Sequence, residues 1–169
     1  MFRNAVFPFT YRNCHGILKP LQRAARKTAS RLLTSFRPAQ TKKGVSALKK
    51  LIFNADDFGL SYGINFGIQE SHLRGVLTST TIMAGMPAFD HAVQLAKGMP
   101  TLGIGVHLTL TCGRPLLASH KTLTEADGNF HRLSFYKQED TAPDPDEVFR
   151  EWHAQIEKTI TAGIQPTHL

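Results

Sequence analysis

Acidic residues are missing from the first 50 positions: all 13 Asp and Glu of the 169-residue chain lie at or beyond Asp56. Cysteine is scarce. Cys14 and Cys112 form no metal-spaced pair, which excludes a disulfide-rich miniprotein and fits a reducing compartment. No apolar run approaches the roughly 20 residues that span a bilayer, so no membrane span is expected. Glycine and proline follow no collagen period, and no sustained heptads suggest a coiled coil. No Walker loop and no Gly-x-Ser-x-Gly elbow is present. Gly103-Ile104-Gly105 lacks the third glycine of a dinucleotide loop and precedes strand residues rather than a helix. What remains is 41% apolar residues, the composition of one soluble domain.

The net charge of +7 conceals a division. Residues 1–50 carry 12 of the 20 basic groups, whereas residues 51–169 have a net charge of −5. Residues 1–48 therefore read as a basic, acid-free, disordered extension, and residues 49–169 as the folded domain. Arg3, Arg12, Arg23, Arg26, Lys27, Arg31 and Arg37 among Ser, Thr and Ala also suit an organelle transit peptide. Nucleic acid or an anionic membrane surface is a third reading of such an arm. Its aromatics follow no RNA-binding pattern, so no nucleic-acid partner is expected. The expected location is cytoplasmic, with organelle targeting as the alternative.

Within the domain, Lys50-Leu51-Ile52-Phe53-Asn54 reads as a buried strand that ends in the loop Ala55-Asp56-Asp57-Phe58-Gly59. Residues 62–74 read as a helix stopped by Gly75, with Ile64 and Ile68 on one face. Val76–Met83 is rich in β-branched residues and reads as a second strand. Pro87 opens a helix with Phe89, Val93 and Ala96 as its apolar stripe. Leu102–Leu110 reads as a third strand, and Thr111–Ala142 as loop. Asp144-Pro145-Asp146-Glu147 has the form of a capping box, followed by an apolar stripe of Val148, Trp152, Ile156 and Ile160. Pro166–Leu169 begins a fourth strand. The order β-α-β-α-β-loop-α-β implies an α/β fold with parallel strands, right-handed crossovers and an apparent truncation.

Sites in such folds gather at the carboxyl ends of strands. Asp56 and Asp57 close the first strand, and His107 lies near the end of the third. One carboxylate can bind a cation while the other holds or deprotonates a water; capping of the following helix is the plainer alternative. His107 in its apolar strand is either a hydrogen-bonded core residue or a ligand. Imidazole with carboxylate suits Zn²⁺, with Mg²⁺ or Mn²⁺ possible where water fills the shell. Two ligands are too few for zinc, and His168 is the candidate third on a later strand. Ser79-Thr80-Thr81 is explained by strand propensity, though its hydroxyls can also touch a sugar. Arg114 is a candidate for an anion or a carbonyl oxygen. His72, His91, His120, His131 and His153 read as surface residues.

The run from Leu51 to Ser61 (LIFNADDFGLS) resembles the opening of the YdjC-like carbohydrate deacetylases, which include the chitooligosaccharide deacetylase. Further matches follow in order: residues 75–81 (GVLTSTT), 90–95 (DHAVQL), 103–111 (GIGVHLTLT) with Gly113-Arg114-Pro115-Leu116, and Pro166-Thr167-His168-Leu169. The resemblance covers residues 49–169. It implies part of a deformed (β/α) barrel that removes N-acetyl groups from amino sugars or chitooligosaccharides with a divalent metal, Mg²⁺ or Zn²⁺. It also implies that Asp57 and His107 are metal ligands and Asp56 the catalytic base. In relatives the Pro-Thr-His-Leu segment runs into an Asp-Ser-His-x-His stretch that supplies another ligand; this chain ends before it. The expected partner is an acetylated amino sugar, with a homodimer possible. The 169-residue chain alone is expected to be inactive and to bind metal weakly. The alternative is a non-catalytic remnant or a sugar- or partner-binding module.

Overall fold

The polypeptide runs three times from strand to helix or loop, always in the same direction across one sheet. The computed structural model describes residues 50–169; the basic extension expected at 1–48 lies outside the described residues. The elements are β1 (Asn54–Phe58), α1 (Tyr62–Leu73), β2 (Ser79–Ile82), α2 (Phe89–Ala96), β3 (Gly103–Val106), a single 3₁₀ turn at Phe135–Lys137, and α3 (Pro145–Thr161). The sheet order is β1-β2-β3, all parallel. The α/β architecture expected from the pattern is the one observed.

Local chemistry accounts for the helices. Ser61 is extended and caps α1, its hydroxyl accepting from Ile64 N at 3.3 Å. Ile68 then faces the sheet. Phe89, Ala92, Val93 and Ala96 form the buried stripe of α2. With Phe58, Ile82, Met99, Leu102 and Ile104 they make one core cluster. Each such large side chain removed from water contributes about 1.5–3 kcal/mol.

Several expectations need correction. The first strand is shifted: Leu51, Ile52 and Phe53 are exposed, and pairing with β2 begins at Asn54. Hydrophobicity placed the strand on the apolar run, but the ladder with Ser79 and Thr80 places it over the two aspartates. The second concerns the α3 cap. Asp144 accepts from Asp146 N at 2.8 Å as an N-cap should. Glu147, however, does not reach back to Asp144. It accepts from the N–H groups of Lys121 and Thr122 and from the Thr122 hydroxyl, and that hydroxyl accepts from Asp144 N. Thr122 thus closes the box between its two usual partners.

The third is the inner face of α3. Val148 is buried, but its companions in burial are Glu147, Glu151, Gln155 and Thr159, while Ile160 is exposed. These polar residues recur every four positions; Glu147, Glu151 and Gln155 serve a loop, while the Thr159 hydroxyl donates to Gln155 O within the helix. Gln155 brackets Thr109, accepting from its N–H and donating to its carbonyl, both at 2.9 Å. Glu151 accepts from Leu116 N, Leu117 N, Gln155 Nε2 and His120 Nε2. A buried carboxylate with this many donors escapes the penalty that an unpaired one would incur. His120, read as a surface residue, is therefore buried.

The expected fourth strand is reduced to two rungs. Thr167 N donates to Ile104 O at 2.8 Å, and Val106 N donates to His168 O at 3.0 Å. The segment lies beside β3 where a fourth strand would run. Gly105 makes the approach possible: a Cβ there would stand 2.5 Å from His168 Cδ2.

Candidate active site

The site begins with an extra residue. Between Ala55 and Phe58, β1 advances three positions while β2 advances two, from Thr80 to Ile82. The bulge holds Asp56 and Asp57, and Asp57 takes a left-handed φ of 70°. Strict alternation would send the two carboxylates to opposite faces. The bulge brings both into one cluster with the end of β3. The Thr80 hydroxyl donates to Ala55 O at 2.7 Å, supporting the backbone just before the ladder is interrupted.

On the far side the bulge is held from α1. Asn65 is fully buried; its Oδ1 accepts from Gly59 N at 2.7 Å and its Nδ2 donates to Ala88 O at 3.0 Å. Gly59 has a φ of 101°, which a side chain would resist. One side chain thereby joins the loop after β1 to the start of α2. Sequence reading passed over Asn65, although a lone amide among the apolar positions of a helix was the available signal.

Three strands converge on Thr81. Its hydroxyl lies 2.9 Å from Asp56 Oδ1 and 3.2 Å from His107 Nδ1. His107 follows β3, and its N–H donates to Ile82 O at 2.9 Å, so the ring is fixed to the middle strand by its own backbone. His107 Nδ1 stands 3.6 Å from Asp57 Oδ1, too long for a hydrogen bond but close enough for charge to be felt. Asn54 Nδ2 donates to Asp56 Oδ1 at 2.8 Å. Ser79 Oγ lies 2.6 Å from Asn54 Oδ1 and 3.3 Å from His168 Nε2. Burial holds His168 below the ordinary imidazole pKa, and the negative charge of Asp56 opposes that in part.

The structure therefore brings Asp56, Asp57 and His107 together. Arg114 stands apart on an exposed loop, where its guanidinium donates to Asp127 O at 3.1 Å. Ser79, Thr80 and Thr81 have a larger part than strand propensity gave them, because each hydroxyl is engaged with β1. Among the described residues, no three His, Cys, Asp or Glu converge as a metal cluster. Asp57 and His107 offer one carboxylate and one imidazole, a donor pair suited to a divalent cation that takes its remaining ligands elsewhere. No helix among the described residues is long and apolar enough to cross a membrane.

The family model of the YdjC-like proteins matches residues 50–169. The chain belongs to the YdjC-like family. A carbohydrate deacetylase of Brevibacillus brevis is 48% identical over 120 residues, which is 71% of this chain and 47% of the relative. A carbohydrate deacetylase of Listeria monocytogenes is 54% identical over 121 residues, 70% of this chain and 49% of the relative. The chain thus spans about half the length of the curated relatives it matches. A crystal structure from Enterococcus faecalis V583, provisionally described as a cellobiose-phosphate cleavage protein, superposes with a TM-score of 0.66 at 42% identity. It matches over 71% of this chain and 47% of that one.

Proposed function

We propose that Asp56, Asp57 and His107 are part of the active site of a metal-dependent carbohydrate N-deacetylase within a deformed (β/α) barrel. The substrates are acetylated amino sugars or chitooligosaccharides. The observation that carries this reading is the joining of Asp56 and His107 through Thr81, with Asp57 beside His107, at one end of a parallel sheet. Membership of a family whose curated relatives are named carbohydrate deacetylases supports it.

Asp57 and His107 would hold the cation, Mg²⁺ or Zn²⁺, together with donors from outside the described residues. When bound, such a cation polarises an amide carbonyl and makes water more acidic. Asp56 receives the proton of the attacking water. The new C–O bond forms first and gives a tetrahedral adduct; the acetamide C–N bond then breaks as a separate acid gives the leaving amine its proton. The products are acetate and a free amino sugar.

The test joins residues 50–169 to the remaining half of the Listeria monocytogenes relative and measures acetate release from N-acetylated chitooligosaccharides. The expected result is release that stops with a chelator and in the double variant Asp57→Ala with His107→Ala. No release, or release that persists in the double variant, overturns the proposal.

A further inference from the structure

The direction of each hydrogen bond around Asp56 follows from counting protons. An ionised carboxylate only accepts. Asp56 Oδ1 lies 2.8 Å from Asn54 Nδ2 and 2.9 Å from Thr81 Oγ1, so both donate to the same oxygen. Thr81 has one hydroxyl proton, and that contact uses it. Its 3.2 Å contact with His107 Nδ1 must then run from an Nδ1–H to the hydroxyl oxygen.

The same count applies on the other side. Asn54 turns its amide nitrogen to Asp56, which leaves its oxygen facing Ser79 at 2.6 Å, so Ser79 donates. The Ser79 proton is then used, and His168 must donate its Nε2–H to Ser79 Oγ across 3.3 Å. The Thr167 hydroxyl lies 2.8 Å from His168 Nδ1 and 3.3 Å from Ile104 O; with its one proton on the shorter contact, His168 Nδ1 accepts. Two donor chains, one from each histidine, end on one oxygen of Asp56. Its other oxygen, Oδ2, has no hydrogen-bond partner among the described residues, and Asp56 is exposed.

We propose that Thr81 and Asn54 are positioning residues that hold Asp56 by Oδ1 and leave Oδ2 to receive a proton, and that Thr81 fixes His107 as its Nδ1–H tautomer. His107 then keeps its lone pair on Nε2. The role of Oδ2 rests on the proposed deacetylase reading; the tautomers do not. Ser79 and Thr81 achieve this from β2 because residues two apart share a face of a strand. The middle strand thereby sets the protonation pattern of His107, which follows β3, and of His168, on the segment beyond β3.

The experiment is ¹⁵N-resolved NMR of the histidine rings in the metal-free 169-residue chain, at a pH where the rings are neutral. The expected spectrum shows His107 protonated at Nδ1 and His168 at Nε2. Thr81→Ser preserves both. Thr81→Val removes the His107 preference and leaves His168 unchanged, whereas Ser79→Ala changes His168 and leaves His107 unchanged. An Nε2–H tautomer for His107 in the wild-type chain overturns the proposal, as does a Thr81→Val spectrum identical to it. Should Thr81→Val fail to fold, the wild-type His107 tautomer still decides. In the joined protein, Thr81→Val is expected to lower kcat about 10²-fold at unchanged KM, with Thr81→Ser recovering most of it. Absence of acetate release from every form would overturn the deacetylase reading and leave the tautomer result standing.

Discussion

Nε2 of His120 lies 3.0 Å from Oε2 of Glu151, and neither side chain reaches solvent. The pair ties the loop after β3 to α3, and the same carboxylate accepts from Leu116 N and Leu117 N. Removing it would leave those part-buried donors, and buried His120, without this acceptor. Glu151→Ala is therefore expected to cost about 3–5 kcal/mol, read from urea denaturation. Glu151→Gln keeps the shape and should cost less. A Glu151→Ala protein within about 1 kcal/mol of wild type would refute this account of the loop.

Asp57 is held in a conformation that glycine adopts more readily. Its left-handed backbone costs of order 1 kcal/mol, and no hydrogen bond to its carboxylate among the described residues offsets this. Asp57→Gly is expected to leave stability unchanged or to raise it by up to about 1 kcal/mol. Zn²⁺ affinity, measured by calorimetry, should fall at least about tenfold. A large loss of stability would show that the carboxylate itself supports the loop.

Asn65 satisfies two backbone groups from inside the protein. Asn65→Leu fills the space but leaves Gly59 N without a partner, while Ala88 O keeps only Ala92 N. The expected cost is about 2–3 kcal/mol, seen as a lower denaturant midpoint. Backbone exchange at Gly59 should rise in the same variant. A neutral substitution would mean that the loop after β1 is held by other contacts.

Glu147 gives the fold a dependence on acid. Burial favours its neutral form, but the N–H groups of Thr122 and Lys121 and the Thr122 hydroxyl outweigh that and hold it below its ordinary value of 4.5. A depressed carboxylate stabilises the folded state above its unfolded pKa, and that contribution is lost as pH falls through the folded value. Below pH 4.5 the wild-type Tm should fall more steeply than that of Glu147→Gln. Parallel curves for the two proteins would rule out this source of acid sensitivity.

Much of the fold was legible because the pattern of Phe89, Val93 and Ala96 follows helical spacing, and because Thr80, Thr81 and Ile82 favour strands. The position of His107 near the end of the third strand was legible for the same reason, whereas Asp56 and Asp57 were read as a loop after the first strand and lie within β1. The bulge was not, since nothing in Asn54-Ala55-Asp56-Asp57-Phe58 announces an extra residue in the ladder. Nor was the inner face of α3. Val148, Trp152 and Ile156 advertise a hydrophobic stripe, while Glu147, Glu151 and Gln155 declare their burial only once the loop that needs them is in place. Thr81 was read as a strand former, and its second role depends on two neighbours distant in sequence.

The polar face of α3 also has a kinetic meaning. Five amides between Thr109 and Thr122 donate to side chains of this one helix: those of Thr109, Leu116, Leu117, Lys121 and Thr122. None of the five can be released in pairs through strand fraying, because their acceptors move as a rigid rod. In native-state hydrogen exchange they should open as one unit with a common free energy, set by the undocking of α3 and separable from that of the sheet.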